Sequence, residues 1–254
     1  MKLKLLSAVT LTTTALLGLA ACGNQGQDAT PNATPETSTT PATPAEPAAV
    51  ALGGEDAPAG YTFSDIGAFL ENQAVADENA GGTFDELYRV AEGTSTTPEH
   101  CGVLLPTAVD TLLTLHEHPT DAAAVDYVSE DNATIITVMA TTAGSGLDDV
   151  VDPAECGQFT RTSQVGDSSR SVIYESVPRE AMIEGADDVT ATRLTTVGVS
   201  LDGEATVTPD VEESELSLSG TTDGIRFRIH ASGPAEEQVI DDLARLQVDK
   251  IRNR

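Results

Sequence analysis

Tryptophan is absent from this 254-residue chain, and all aromatics together make up only 4% of it. Carbohydrate-binding modes that stack sugars on aromatic platforms therefore have little to build on. Bases are also scarce. Thirteen Lys and Arg stand against 41 Asp and Glu, a formal net charge of -28. A chain this acidic is repelled by phosphate backbones, which excludes nucleic acid as a partner. No apolar run reaches the about 20 residues that a membrane-spanning helix needs. The run from Leu5 to Leu19 is shorter and contains Ser7 and four threonines. There are three cysteines, Cys22, Cys101 and Cys156, and none has partners at zinc-finger spacing.

Familiar catalytic strings are missing too. Gly144-Ser145-Gly146 is not followed by Gly-Lys-Ser/Thr, so it is not a phosphate cradle. Gly166-Asp167-Ser168 lacks the Gly-x-Ser-x-Gly elbow and reads as a turn between strands; a hydrolase with Ser168 as nucleophile is kept as a third reading, although nothing in the sequence links His230 to it as a base. Asp148-Asp149 and Asp187-Asp188 lack calcium-loop spacing. His116-Glu117-His118 with Asp121 is the best metal candidate. The run ends a helix, however, where residues two apart diverge, so it reads as histidines favoured by the helix C-terminus. No cofactor is implied.

What is present begins with the leader. Lys2 and Lys4 precede the apolar run, which ends in Leu19-Ala20-Ala21-Cys22. This is an export signal closing on small residues, and it resembles the bacterial lipoprotein lipobox. The resemblance implies that residues 1–21 are a signal peptide and that the Cys22 sulfur carries a diacylglycerol. Two acyl chains tether a protein durably where one does not. The expected location is the extracytoplasmic face of the cell membrane, with the bilayer as a partner through Cys22.

Residues 22–60 follow as a spacer dominated by Thr, Pro and Ala. Such a composition buries too little apolar surface to offset the entropy of ordering, and its prolines favour extended conformations. A domain over 61–254 then has enough Leu, Ile, Val and Ala for one core. With Cys22 taken by the lipid, export puts Cys101 and Cys156 in an oxidising compartment, where a pair closes. Thr97-Pro98-Glu99-His100-Cys101-Gly102 and Asp152-Pro153-Ala154-Glu155-Cys156-Gly157 share one plan: a capping residue, Pro at the first helical position, then Cys-Gly.

Helical spacing appears in Ile66, Phe69 and Leu70, in Phe84, Leu87 and Tyr88, and in Leu105, Val109, Leu112, Leu113 and His116. Past Cys156 the pattern turns to strands, and Asp223-Gly224 marks a tight hairpin. The last 21 residues form a helix with a stripe at Ile240, Leu243, Ile251 and either Leu246 or Gln247. The expected class is α+β: a single domain with a mainly antiparallel sheet covered on one face by helices, a C-terminal helix and one disulfide.

The lipobox, the Thr/Pro spacer, the Pro-x-x-Cys start, the second Cys before a β-rich half and the terminal helix together resemble cell-envelope lipoproteins of mycobacteria and their relatives. Those are similar to PknH-like extracellular sensor domains. The resemblance implies a similar fold and a ligand cleft, and it carries over no binding residue.

Apart from Arg89, every Lys and Arg after Cys22 lies beyond residue 160. Arg226, Arg228 and His230 alternate with Ile225, Phe227 and Ile229, so they share the face opposite the apolar one. Two readings stay open: bases offsetting acids on a solvated sheet, or a strip that grips an anion. The function expected is a non-catalytic ligand-binding or sensor-like envelope lipoprotein, with an anionic small molecule, lipid or envelope protein as partner. The alternative is a structural or accessory interaction lipoprotein without a small ligand.

Overall fold

The hairpin of β9 (Ser214–Thr222) and β10 (Ile225–Ser232) forms the centre of the molecule. Its turn places Asp223 and Gly224 at φ 46° and 78°. Two successive left-handed residues are what a two-residue hairpin with native twist requires, and Asp-Gly tolerates them. The computed structural model describes residues 46–70, 83–145, 151–207 and 214–254. Cys22, the leader, the spacer up to residue 45 and Asp148-Asp149 lie outside the described residues.

Among the described residues, ten strands form one sheet in which every pairing is antiparallel. The other strands are β1 (Tyr61–Asp65), β2 (Thr94–Thr97), β3 (Ala122–Ser129), β4 (Ile135–Thr142), β5 (Gln158–Val165), β6 (Ser168–Pro178), β7 (Asp187–Leu201) and β8 (Glu204–Val207). Their order is β1-β3-β4-β10-β9-β7-β6-β5-β2, with β8 on β7. The α+β class expected from the sequence is the class observed. The short strands β1, β2 and β8 carry no alternation strong enough to single them out.

Strict alternation gives the first face of the sheet its core. Ile225, Phe227 and Ile229 of β10, Leu216 and Leu218 of β9 and Val138 of β4 are all buried. They pack under a helix over Glu237–Arg252, whose Ile240, Leu243, Val248 and Ile251 complete the cluster. The helix spacing settles the open position in its stripe. Leu246 is 41% exposed, whereas Gln247 is fully buried and its Nε2 donates to the Val50 carbonyl at 2.8 Å.

That bond corrects the boundary of the spacer. Residues 47–56 fold onto the domain instead of belonging to an extended tether ending at 60. We name the helix over Pro47–Val50 α1. Val50 and Leu52 are 0% and 3% exposed. The Tyr127 hydroxyl donates to the Gly53 carbonyl at 2.8 Å, and Lys250 reaches Asp56 at 3.0 Å. Average composition hides a short apolar patch, Val50-Ala51-Leu52, which is enough to dock under the last helix.

The second face is also covered, but unevenly. After a helical start at 66–70 come α2 (Thr83–Glu92) and α3 (Ala108–Glu117), and the C-terminal helix is therefore α4. Leu115 and Ile66 pack on Ala122 and Ala124 of β3. α2 lies against α3, where the Phe84 ring stacks on His116 with centroids 3.8 Å apart. At the other end, single turns over Glu99–Leu104 and Pro153–Cys156 are joined by the Cys101–Cys156 disulfide, with Cα atoms 5.7 Å apart. Both cysteines are buried with Leu104, Phe159, Tyr174 and Leu194.

The two Cys turns are built differently, although the sequence gives them one plan. Asp152 caps as expected, its Oδ1 accepting from the Ala154 N–H at 2.9 Å with Pro153 behind it. Thr97 does not cap. It is the last residue of β2, paired with Thr160, and its bond to Pro98 is cis. The strand ladder claims Thr97, so the turn starts one residue later, with Pro98 at the N-cap.

Candidate functional site

Between the two apolar clusters of the second face runs a band of polar side chains. Cross-strand register builds it. Thr137 of β4, His230 of β10, Ser217 of β9 and Thr192 of β7 stand opposite one another in sequence across four strands. Arg228 and Ser219 form the next row, and Arg226 and Thr221 the one after. Many of these groups satisfy one another, as buried polar groups must. The Thr190 and Ser219 hydroxyls lie 2.8 Å apart and those of Ser176 and Thr192 3.0 Å apart.

The expectation that Arg226, Arg228 and His230 share the face opposite Phe227 holds. A solvated strip does not. Arg226 is only 5% exposed, with Nη2 3.3 Å from Ser219 Oγ. The disulfide-linked turns lie over it through Leu104, Val151 and Pro153, leaving a gap of about 10 Å³. No anion fits there, so Arg226 is removed from the grip that the sequence suggested. The three residues share no single space, although Arg228 borders the same gap as Arg226. Arg228 also opens on a cleft of about 500 Å³ beside Gly102, Val103 and Asp110. His230 lines a third cavity of about 330 Å³.

That third cavity is the candidate site. Its walls come from Thr137, Glu215 and His230 on one side of the sheet order and from Arg161, Arg170 and Tyr174 on the other. β7, which separates these two groups of strands, contributes nothing to the lining. The sheet coils enough to bring non-neighbouring strands around one space, as strongly twisted sheets do. Leu105, Pro106 and Val172 make the apolar part of the wall.

One ion pair and one histidine–carboxylate contact shape the cavity. His230 Nε2 lies 2.9 Å from Glu215 Oε2, with both side chains largely buried. Arg161 donates from Nη2 to Asp110 Oδ2 at 2.9 Å and from Nη1 to the Leu105 carbonyl at 2.5 Å. Asp110 is held in place by the start of α3. Its carboxylate accepts the Thr107 N–H at 2.8 Å, while Thr107 Oγ1 accepts the Asp110 N–H at 3.1 Å. This reciprocal cap fixes the helix entry beside the cavity. Arg161 thereby ties the segment following the Cys101 turn to β5.

Asp126 lies behind Thr137 on β3. Its Oδ1 accepts the Thr137 hydroxyl at 2.6 Å. Burial pushes its carboxyl above the usual carboxylate range, and the Thr137 hydroxyl only partly offsets this. A carboxyl whose folded pKa is raised binds its proton more tightly folded than unfolded. Ionisation therefore costs stability as pH rises above the ordinary carboxylate value of 3.8. Asp126→Asn keeps an acceptor for Thr137 and removes that cost. The variant should be more stable than wild type at neutral pH, and the difference should shrink as pH falls through the raised folded value and be gone below the ordinary one. Urea unfolding of both proteins across that pH range checks it. A pH-independent difference would contradict the burial argument.

Other sequence candidates are not assembled into sites. His116 is engaged with Phe84, and His118 forms the C-cap of α3. Among the described residues the one cluster with metal-ligand donors is His100, Cys101 and Cys156, and its sulfurs are joined to each other. Ser168 is exposed at the β5–β6 hairpin, the turn position expected of it. His230 has an orienting carboxylate, but no hydroxyl among the described residues bonds its Nδ1. Arg161, Asp110, Glu215 and Tyr174 were not singled out in the sequence. Thr107-x-x-Asp110 is a capping pattern that could have located the helix start. Nothing local signals the other three, because only sheet coiling brings them together.

The fold and its cleft define a single-domain α+β protein with one disulfide and a cavity on the polar face of its sheet. No protein-family model matches the chain, and no curated protein matches it. A solved structure of an uncharacterised Mycobacterium smegmatis protein, the Rv0999 ortholog, is similar to part of it. The TM-score is 0.34 at 15% identity, covering 63% of this chain and 77% of that one.

Proposed function

We propose that this chain is an extracytoplasmic lipoprotein of the cell envelope, tethered through Cys22, whose domain binds a small molecule without transforming it. The observation that carries the binding half is the cavity of about 330 Å³, of a size typical for small-molecule sites and mixing apolar walls with a few convergent polar groups. The Leu19-Ala20-Ala21-Cys22 string and the resemblance to envelope sensor domains support the location and the sensor-like role. The accessory-protein alternative has support in two exposed apolar side chains, Val177 near the end of β6 and Met182 in the β6–β7 connection. Native mass spectrometry of protein extracted from its own membrane separates the two. A retained small molecule is expected; a bare chain with a protein companion would favour the alternative.

The tether has its own test. Cys22→Ala should move the protein from membrane to soluble fractions, since the acyl chains are its strong membrane contact. Labelled fatty acid still incorporated into that variant would sink the lipid-anchor reading.

A further inference from the structure

We propose that the cavity between α3 and the β1-β3-β4 end of the sheet is a second binding site, which takes a small organic cation: one ammonium group on a short apolar body. This goes beyond the reading above and does not depend on what the larger cavity holds.

The charge comes first. The cavity has a volume of about 230 Å³ and adjoins the larger one, with Ala108 and Thr137 in the walls of both. Asp126 is the one titratable side chain on its lining among the described residues. Cross-strand register sets Asp126 between Ser64 of β1 and Thr137 of β4, and both line the cavity with it. The Thr137 hydroxyl satisfies one carboxylate oxygen, Oδ1. Oδ2 accepts no hydrogen bond from a described side chain, and no base pairs with Asp126 among the described residues. Such a carboxylate has lost much of its water without gaining a counter-charge, which is costly. Burial accordingly raises its pKa, the sign expected of an acid on an apolar wall with no base beside it. An ammonium in the cavity supplies the missing charge, whereas an anion would meet Asp126 unopposed. The net charge of -28 also draws cations towards the protein from a distance.

Thr111 of α3 gives a second, independent indication. It is only 4% exposed, yet it lines this cavity, and its hydroxyl bonds to none of the described residues. Neither Thr111 Oγ1 nor Asp126 Oδ2 is among the partnerless side-chain atoms sealed from solvent, so a molecule in the cavity reaches both. An ammonium group carries up to three N–H donors. Asp126 on β3, Thr111 on α3 and Ser64 on β1 each supply an acceptor for one of them. The rest of the wall is apolar, built from Ile66, Phe69, Ala108 and Leu112. Phe69 leaves 48% of its surface exposed here, area that the body of a ligand would cover. Pockets for drug-sized ligands begin at roughly 300 Å³, so this body is no larger than about one ring.

The test uses the full chain purified in a non-ionic detergent and four probes: 2-phenylethylammonium; 2-phenylethanol, which lacks the charge; ethylammonium, which lacks the ring; and phenylacetate, which reverses the charge. Calorimetry at neutral pH should show the first bound at least tenfold more tightly than any of the others. Asp126→Asn keeps the acceptor for Thr137. It should weaken 2-phenylethylammonium at least tenfold and leave 2-phenylethanol unchanged. Phe69→Ala, at an exposed position, should weaken these two probes alike. A protonated Asp126 must release its proton to pair with the cation. Affinity for 2-phenylethylammonium should therefore rise with pH through the raised folded value of Asp126 and then level off, while affinity for the alcohol stays flat. That profile, measured on wild type, gives the same answer if the Asn variant does not fold. No binding of 2-phenylethylammonium, equal affinity for it and the alcohol, or a pH-independent affinity for it would overturn the assignment. So would an Asp126→Asn variant that binds it as wild type does. Ethylammonium bound as tightly as the ring compound would place the cation outside this cavity and overturn it equally.

Discussion

Alanine at both Cys101 and Cys156 should lower the unfolding free energy by about 4 kcal/mol. The bond closes a loop of sequence separation 55, and chain-entropy arguments give roughly that value for a loop of such length. This is a large part of the roughly 5–15 kcal/mol that typically holds a domain together. The packing sharpens the expectation. Both cysteines are fully buried beside Leu104, Phe159 and Leu194. Serine at the two positions should therefore cost more than alanine, because each hydroxyl would enter an apolar cluster without a donor or acceptor in place. The loss should also reach the cavity, since the turn carrying Cys101 leads directly into Leu105, Pro106 and the start of α3. Urea midpoints for the alanine pair, the serine pair and wild type measure all of this. Identical midpoints would mean that the bond constrains nothing in the unfolded chain.

Phe227→Ala should cost a comparable amount, about 3–5 kcal/mol, the range for truncating a buried aromatic. Phe227 is fully buried at the centre of the sheet, and directly across the hairpin from it stands Gly220. A Cβ built on Gly220 would lie 2.8 Å from the edge of the Phe227 ring. The glycine is thus the space the ring occupies, and the ring cannot yield because Ile225, Ile229 and Leu218 are packed around it. Gly220→Ala alone should then destabilise by about 1–3 kcal/mol, the cost of overpacking. Combined with Phe227→Leu, the two costs should fall short of their sum, since the smaller side chain makes room for the new methyl. A double-mutant cycle in urea reads the coupling directly. Strict additivity, or a neutral Gly220→Ala, would show that the contact is not tight.

These two sites mark how far the sequence could be read. Asp223-Gly224 and the alternation on either side placed the central hairpin and its buried face, because turn chemistry and period-two patterning are local properties. The C-terminal helix was legible for the same reason. The role of Arg226, Arg228 and His230 was legible only in part. Alternation put them on one face, but what covers that face is decided by turns more than 70 residues earlier in the chain. Glu215 and Arg161 belong to different strands, and no spacing rule relates them. The docking of Val50 and Leu52 was hidden by the Thr/Pro/Ala composition around them. Their partner, Gln247, lies 197 residues away.

The position of β10 has a consequence for the order in which the molecule assembles. It is the last strand in the chain and yet sits between β4 and β9, so it alone joins β1-β3-β4 to the remaining strands. While a growing or translocating chain has not yet delivered residue 225, β4 and β9 each present an unpaired edge, the kind of edge that invites pairing with other chains. The clasp between α1 and α4 waits still longer, on the final helix. Contacts of such sequence separation close slowly. Folding of this domain is therefore governed by the arrival of its last 30 or so residues, and a chain released short of them would be a pair of open-edged half-sheets instead of a smaller version of the fold.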